Sequence, residues 1–448
     1  MSDTSAMPAT AGPQHVERVV RRGSLLPMAI AAAVAAYLVY TWFAFGMTGI
    51  LLNANVDKGI LLISDAVTHK IHVTRLNRSN ELTVAIEGER TAEYTALPDW
   101  VTGTPQHFRV DLGDGYEVRV DGPVVAFDMP GYGTAVATIT EHGIDTRLPD
   151  GAEPMPYPQM SIADVKFEAR PTFGRRVQVT RGKVEVHRYQ WGWENFFFPW
   201  RSPLAHMSFS ELFDAAFSDQ RIDPEMSNAR LILTTFWANP DWQHGIIVVA
   251  VFETLLMAVL GTLTAVILAL PLSFIAAGNF TPSKALRVVV RRVFDFVRGI
   301  DNLIWSLIFI RAFGLGPLTG ALAIAITDTG TLGKMFSEAL ENVDNRQIEG
   351  VQSTGARTLQ KYRFGVIPQI LPVLVSQSLY YLESNTRSAT VIGALGAGGI
   401  GLVLVETMRT QRDWENVFYI IVIVILLVMA MDTVSGWLRR KLIVGRDG

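Results

Sequence analysis

The stretch 348-IEGVQSTGARTLQKYRFGVIPQ-369 lies between long apolar segments, yet it carries Glu349, Arg357 and Arg363. Its residues favour helix on both sides of one glycine, Gly355, which can adopt the backbone angles of a tight turn. We interpret the stretch as two short helices that meet at this turn and stay in water because of their charges. The alternative is an ordinary basic loop between membrane helices.

The composition around this stretch is typical of a membrane protein. Of the 448 residues, 49% are hydrophobic and 18% are charged, and the mean hydropathy is +0.25. There are no cysteines, and a net charge of -3 does not indicate a nucleic-acid-binding protein. A helix needs roughly 20 apolar residues to cross the hydrocarbon layer. Candidate spans of this kind lie at 24–46, 245–277, 293–313, 317–336, 364–383 and 415–437.

The lysines and arginines between these spans predict the orientation of the chain. They cluster before residue 24, at 279–292, at 337–363 and after residue 438. The positive-inside rule places all four clusters in the cytoplasm, so both termini are cytoplasmic and residues 47–244 are extracytoplasmic. The first span exceeds the apolar core of a signal peptide, which favours an uncleaved anchor over a cleaved signal.

The region between the first two spans has the pattern of β-strands. Hydrophobic and polar residues alternate at Tyr116–Gly122 and at Val177–Val186, and the second run predicts a hairpin around Arg181 and Gly182. We expect a small antiparallel β domain over 47–205.

The segment that leaves this domain is rich in aromatic residues. The run WGWENFFFPWRSP (191–203) indicates either an aromatic belt at the membrane surface or an apolar patch folded into the β domain. Ser208 and Glu211 then have the spacing of a capping box. They predict a short amphipathic helix in an interfacial segment, 206–244.

The spacing of Glu349, Gly355 and the pair Ile367-Pro368 resembles the EAA loop of permease subunits of binding-protein-dependent ABC importers. Three further runs narrow the resemblance to phosphonate-type permeases: PQILP (368–372), ESNTRSATVIGALGAGGIG (383–401) and FGLGPLTG (313–320). The resemblance covers about 245–445. The departures from the family pattern are Gly350, Val351, Gly365 and the β insertion.

The resemblance implies an α-helical integral membrane protein of about six transmembrane helices. Its core is of the ABC type I importer kind, with a small extracytoplasmic β-rich domain inserted. The implied division is 1–23 (cytoplasmic tail), 24–46 (first helix), 47–205 (β-rich domain), 206–244 (interfacial segment) and 245–445 (permease core, with a coupling loop at 338–363).

The implied function is that of a permease subunit of an importer for phosphonate or a related phosphorus oxyanion such as phosphate or phosphite. The subunit works by alternating access in a bacterial cell membrane. It is not an enzyme and holds no cofactor, because ATP and magnesium are bound by a partner; the chain has no phosphate-binding loop motif of its own. Its partners are a second copy in a homodimer, two cytoplasmic ATPase subunits, an external substrate-binding protein and membrane lipid.

The resemblance and the residue chemistry together select two groups of site residues. The ATPase-coupling group is Glu349, Gly350, Gly355, Ala356, Ile367 and Pro368. The substrate-pathway or gate group is Arg387, Arg298, Glu383, Gly396, Gly398, Gly399 and Gly401.

Arg387 is the main candidate for contact with an anion, because a guanidinium binds phosphonate oxygens in a bidentate manner. Neutralisation by Glu383, four residues earlier, is the alternative role. Arg298 is expected to share one face of the third span with Asp295 and Asp301. The glycines indicate either a gate or close helix packing, and we exclude a dinucleotide site because GAGGIG (396–401) follows no soluble strand.

The remaining patterns point away from other classes. His69 and His72 project to opposite faces of a predicted strand, and His142, His187, His206 and His244 have no ligand spacing, so no metal site is expected. A membrane sensor with an extracytoplasmic ligand-binding domain is the alternative function, but it requires a cytoplasmic output domain. A membrane-embedded enzyme requires a cluster of acid, base or metal-binding residues that the sequence lacks.

Overall fold

The computed structural model describes residues 13–52, 63–64, 66–87, 92–156, 159–410 and 414–443. The chain divides into two units, residues 1–61 and residues 62–448. In the first unit, α1 (Pro13–Ala44) is followed by the short helix α2 (Met47–Leu52). The stretch Pro27–Ala44 is long and apolar enough to cross a membrane. The second unit contains a β-sandwich and a helical core.

The β-sandwich consists of two six-stranded sheets. All of the strand pairs are antiparallel. The first sheet has the order β2-β1-β12-β11-β10-β9 and the second β3-β4-β5-β6-β7-β8. The strands are β1 (Thr68–Leu76), β2 (Glu81–Ile86), β3 (Val101–Gly103), β4 (His107–Gly113), β5 (Tyr116–Asp121), β6 (Val124–Met129), β7 (Gly133–Ile139), β8 (Ile144–Arg147), β9 (Met160–Ala163), β10 (Lys166–Thr172), β11 (Arg175–Thr180) and β12 (Lys183–Trp191).

Alternating side chains from both sheets form the core of the sandwich. Phe127 of β6 and Phe167 of β10 are fully buried among valines such as Val73 and Val186. Successive strand residues face opposite sides, so one face of each sheet packs inward while the other stays polar. The predicted hairpin is confirmed, since Val179 pairs with Val184 across the β11–β12 turn. The described strands lie between residues 68 and 191, within the predicted bounds of 47–205.

An aromatic segment joins β12 to the helical core. Trp193 and Phe196 pack against Trp242 and against Tyr419. The imidazole of His244 is 2.7 Å from the carbonyl oxygen of Phe196 and 3.0 Å from the hydroxyl of Tyr419. These aromatic side chains therefore connect the sandwich to the core and are not confined to the β domain.

Two short helices, α3 (Phe209–Phe217) and α4 (Asn228–Trp237), lie in this connection. The predicted capping box at the start of α3 is confirmed. The Ser208 hydroxyl accepts a bond from the Glu211 amide, and the Glu211 carboxylate accepts one from the Ser208 amide. Phe209, Phe213 and Phe217 are exposed along one side of α3, which makes the helix amphipathic as predicted.

The helical core begins at His244. Its elements are α5 (His244–Ala276), α6 (Lys284–Gly299), α7 (Asn302–Phe313), α8 (Pro317–Glu341), α9 (Asn345–Ser353), α10 (Thr358–Lys361), a π-helical turn (Tyr362–Val366), α11 (Ile367–Ile392), a second π-helical segment (Gly393–Ala397), α12 (Gly399–Thr410) and α13 (Trp414–Ile443). Within this part of the described chain, three stretches are long and apolar enough to span a membrane: His244–Ala276, Thr358–Ala397 and Trp414–Leu442.

The predicted third span, 293–313, is wrong as a single helix. The helix is interrupted at Ile300 and Asp301, so α6 ends at Gly299 and α7 begins at Asn302. Asp301 is the N-cap of α7 and accepts a hydrogen bond from the Leu303 amide, which a midhelix position would not allow. Arg298 and Asp301 therefore do not share one helix face.

Small residues let α8 pack tightly in the core. A Cβ added at Gly330 would collide with the side chain of Val297 on α6, and one added at Gly333 would collide with the ring of Phe294 on the same helix. Phe294 is 1% exposed, and it occupies the space next to the two glycines that their missing side chains leave free. Helix contacts in membranes depend on such close backbone approach, since lipid supplies no hydrophobic force between helices. α8 covers the fourth predicted span, but it is not among the described helices that are long and apolar enough to cross a membrane.

The sandwich core supplies the first prediction. Replacing buried Phe167 by Ala leaves a cavity and should lower the free energy of unfolding of the sandwich by about 3–5 kcal/mol. Val165→Ala is the matched control, because Val165 is 71% exposed two residues away. Hydrogen exchange of the strands in the full chain measures both; equal exchange in the two variants contradicts the described core.

Candidate functional site

The stretch that carries Glu349 forms a helical hairpin, which we define as residues 344–366. Asp344 caps α9, and its carboxylate accepts a hydrogen bond from the Arg346 amide. Gly355 follows α9 with a φ of +81°, the left-handed region that favours glycine. The two-helix interpretation is therefore confirmed, and the turn lies where the sequence predicted it.

Buried apolar side chains hold the hairpin against the core. Ile348 of α9 and Val366 of the π-helical turn pack in one cluster with Phe336 and Leu340 of α8. A Cβ at Gly365 would lie 3.3 Å from the Cα of Ile348. The departure from the family pattern at Gly365 thus has a steric reason, because the two arms of the hairpin approach each other closely there.

The outer side of the hairpin exposes large apolar groups. Leu359 is 79% exposed and Phe364 is 59% exposed. Glu349 and Arg357 are exposed on the same element. The sequence interpretation did not select Leu359 or Phe364, although apolar residues within a charged helical stretch are a detectable signal for a contact surface.

The glycine-rich run interrupts the helical core between α11 and α12. Gly396, Gly398 and Gly399 all have positive φ, at +113°, +88° and +70°. The side chains of α5 bind the backbone amides at this break. The Glu253 carboxylate accepts a bond of 2.8 Å from the Gly399 amide, and the Thr254 hydroxyl accepts one of 2.9 Å from the Ile400 amide.

The glycines of the run are also required for close packing. A Cβ at Gly401 would collide with the carbonyl oxygen of Thr390, and a Cβ at Gly393 would collide with that of Gly398. The run joins two helices, whereas a dinucleotide fingerprint joins a strand to a helix. This geometry accounts for Gly393 and Gly401 through packing, which was one of the two predicted roles of the run.

The charged residues of the predicted pathway lie on separate elements. The Arg387 guanidinium is 65% exposed and lies 4.0 Å from the Glu383 carboxylate on α11. Arg298, at the end of α6, pairs with Asp295 at 3.2 Å. Asp295 also lies 3.5 Å from Lys334 of α8. Arg298 thus belongs to an ion-pair network between α6 and α8, and Arg387 does not take part in it.

A buried polar triad, which the sequence analysis did not identify, connects three helices. The amide nitrogen of Asn385 on α11 lies 2.5 Å from the Asp328 carboxylate of α8 and 2.8 Å from the Thr262 hydroxyl of α5. Asp328 and Asn385 are 6% and 3% exposed. A carboxyl group buried among helices needs such partners. The triad fixes the relative positions of α5, α8 and α11.

A cleft of about 600 Å³ lies where the sandwich meets the helical core. Its polar lining combines five carboxylate side chains with five other polar side chains: Glu87, Glu194, Asp241, Glu406 and Glu415, and His69, Asn195, Gln243, Thr407 and Asn416.

Comparison with known proteins assigns the helical core to one family. Residues 269–444 match the model of the binding-protein-dependent transport system inner membrane component. A putative phosphite transport system permease protein of Stutzerimonas stutzeri is 39% identical over 187 residues, which are 42% of this chain and 66% of that protein. The phosphate-import permease protein of Mycolicibacterium smegmatis is 38% identical over 191 residues, which are 43% of this chain and 36% of that protein.

A third relative is matched over nearly its whole length. A putative cryptic phosphonate transport system permease protein of Escherichia coli is 43% identical over 122 residues, 27% of this chain and 99% of that protein. The chain thus spans two thirds or less of the two longer relatives described above. The resemblance to phosphonate-type permeases is confirmed, and so is the fold class of a helical membrane core with a β-rich domain.

The glycine-rich run supplies the second prediction. Gly401→Ala forces a methyl group onto the Thr390 carbonyl and should destabilise the core by about 1–3 kcal/mol through overpacking. Gly436→Ala is the control, because a Cβ there has no heavy atom within 4 Å. Thermal unfolding in detergent compares them; a melting temperature of Gly401→Ala equal to that of the control refutes the packing role.

Proposed function

The chain belongs to the inner-membrane components of binding-protein-dependent transport systems, and from that premise we propose that it forms the import route for a phosphorus oxyanion. The substrate class is phosphonate, phosphite or phosphate, since the relatives are named for these anions. The observation that carries the proposal is the helical hairpin, which is anchored in the core and exposes an apolar pair to a partner.

The hairpin is the docking element for an ATPase subunit in this proposal. Leu359 and Phe364 offer apolar contact area, and Glu349 and Arg357 are exposed charged residues of the same hairpin. Interfaces of this composition, an apolar centre with a polar rim, are typical of protein partners. Two copies of the chain form a homodimer, two cytoplasmic ATPases bind their hairpins, and an external binding protein delivers the anion.

One continuous helix connects the hairpin to the proposed gate. α11 follows the π-helical turn directly and runs for 26 residues to the glycine-rich segment, a length of about 39 Å. Ile348 and Val366 tie the hairpin to α8 as well. A displacement imposed by ATPase closure therefore reaches Glu383, Arg387 and the glycines as rigid-body motion, which is the basis of alternating access.

Arg387 is the proposed contact for the anion. Its guanidinium is largely exposed, and its 4.0 Å separation from Glu383 is too long for a hydrogen bond. The donors of the guanidinium therefore remain available for oxyanion oxygens, to which arginine binds in a bidentate manner. Arg298 has a different role, because Asp295 already pairs with it.

The docking element supplies the third prediction. Replacing both Leu359 and Phe364 by Ser removes apolar contact area from the hairpin while the buried anchors remain. We expect loss of the co-purified ATPase and of ATP-driven uptake, with the chain still folded in the membrane. Phe213→Ser combined with Phe217→Ser on α3 is the control, since these residues are exposed to a similar degree. Unchanged co-purification in the hairpin variant rules out this docking element.

Arg387 supplies the fourth prediction. Arg387→Gln removes a charged hydrogen-bond donor worth about 1.5–3 kcal/mol, so the apparent KM for the anion should rise roughly 10- to 100-fold. Arg409→Gln is the control, because Arg409 is an exposed arginine on the neighbouring α12. Uptake of phosphonate, phosphite and phosphate into vesicles that contain the whole transporter measures the effect. A KM unaltered for all three anions excludes contact.

A further inference from the structure

Two histidines and a glutamate meet on the outer face of the first sheet. His72 of β1 lies directly opposite His187 of β12 in the strand register. Glu185 precedes His187 by two residues, so both project to the same face. The intervening Val186 points into the sandwich core. Directly opposite residues of an antiparallel pair have Cβ atoms about 5 Å apart, which brings the three polar side chains together.

The three side chains offer ligand atoms at metal-binding separations. One nitrogen or oxygen from each lies within 4.8 Å of the others. The two imidazole rings are stacked, with centroids 4.0 Å apart and an interplanar angle of 14°. Zinc binds histidine nitrogen and carboxylate oxygen at about 2.0–2.2 Å in a tetrahedron, so its ligand atoms lie roughly 3.3 Å apart. The lone pair of an imidazole nitrogen lies in the ring plane, so the two stacked rings must rotate about their side-chain bonds before both nitrogens point at one ion.

The imidazoles are buried without hydrogen-bond partners. Within the described residues, neither ring nitrogen of His187 has a partner, and Nε2 of His72 has none. His187 is only 5% exposed. Buried polar groups are normally paired, and an unpaired one in a native fold needs an explanation such as an ion. Two such nitrogens on facing strands fit the lone-pair donors of a metal site.

Three cations lie near the two rings. Burial is the main cause that lowers the pKa of His72 and of His187, and the positive charges of Lys70, Arg176 and Lys183 act in the same direction.

The same cations oppose a divalent ion, and one of them, Arg176, is compensated by a carboxylate outside the site. Arg176 lies 2.8 Å from the Glu168 carboxylate. Lys183 lies 2.6 Å from Glu185, and its side chain is 44% exposed. A bound metal competes with this ammonium for the Glu185 carboxylate, and the exposed ammonium can move into solvent. Lys183 should therefore weaken metal binding and not prevent it.

We propose that His72, Glu185 and His187 bind a divalent transition-metal ion, with Zn²⁺ as the ion that best suits two imidazoles and a carboxylate. The site joins the first and last strands of the sandwich. β12 leads into the aromatic segment that connects to the helical core, so the metal clamps the sandwich at its exit strand. The expectation of no metal site considered sequence spacing alone, and the separation of 115 positions between His72 and His187 concealed their pairing. The proposal is independent of the transport function.

The fifth prediction tests this site by metal titration. The full chain, purified in detergent without a polyhistidine tag and stripped with a chelator, is titrated with Co²⁺ as a spectroscopic probe and then with Zn²⁺. We expect one saturable Co²⁺ per chain, displaced by Zn²⁺. His72→Gln and His187→Gln should each weaken binding at least about 10- to 100-fold, the loss that even an indirect partner of a metal causes. Lys183→Gln should tighten it.

His107→Gln is the matched control and should leave the affinity unchanged. His107 also lies opposite a carboxylate, Asp121 at 2.7 Å, but it is exposed on the other sheet. X-ray absorption of Zn²⁺ bound to the unmodified chain tests the ligands without any variant, and two imidazole nitrogens are expected. Any of three results overturns the proposal. They are no saturable binding to the unmodified chain, unchanged affinity in both His72→Gln and His187→Gln, and an absorption spectrum without imidazole ligands.

Discussion

A backbone break inside a helical membrane core exposes amide groups for which lipid provides no hydrogen-bond partner. The glycine-rich run is such a break, and α5 provides the partners. The Glu253 carboxylate binds the Gly399 amide, and the Thr254 hydroxyl binds the Ile400 amide. These two bonds begin α12 and keep it against α5. α11 ends at the same break, and its Asn385 is bonded to Thr262 of α5 and to Asp328 of α8.

The rest of the core follows from small residues that let helices approach. Gly330 and Gly333 admit Phe294, and Gly401 admits the Thr390 carbonyl. The triad of Thr262, Asp328 and Asn385 then locks α5, α8 and α11 together at one level. Close packing of this kind resists continuous deformation. The hairpin is attached to this core through Ile348 and Val366.

The β-sandwich has its own source of stability. Its hydrophobic core is closed by alternating side chains from twelve strands, and the aromatic segment with Trp193 and Phe196 joins it to the N-terminal end of α5. The family match is confined to the helical core, at residues 269–444. It does not include the sandwich.

The sequence by itself determined the membrane class, the β-rich insertion, the turn at Gly355 and the capping box at Ser208, because each depends on local pattern: apolar length, alternation, backbone freedom and cap spacing. It also predicted one helix over 293–313, and this was wrong, because composition does not reveal that Asp301 caps a new helix. Only the tertiary structure decided that Glu253 accepts a hydrogen bond from the Gly399 amide, that Asn385 contacts Asp328, and that His72 lies opposite His187. These contacts join residues 57 to 146 positions apart, and such pairing depends on helix packing and strand register, which local sequence does not encode.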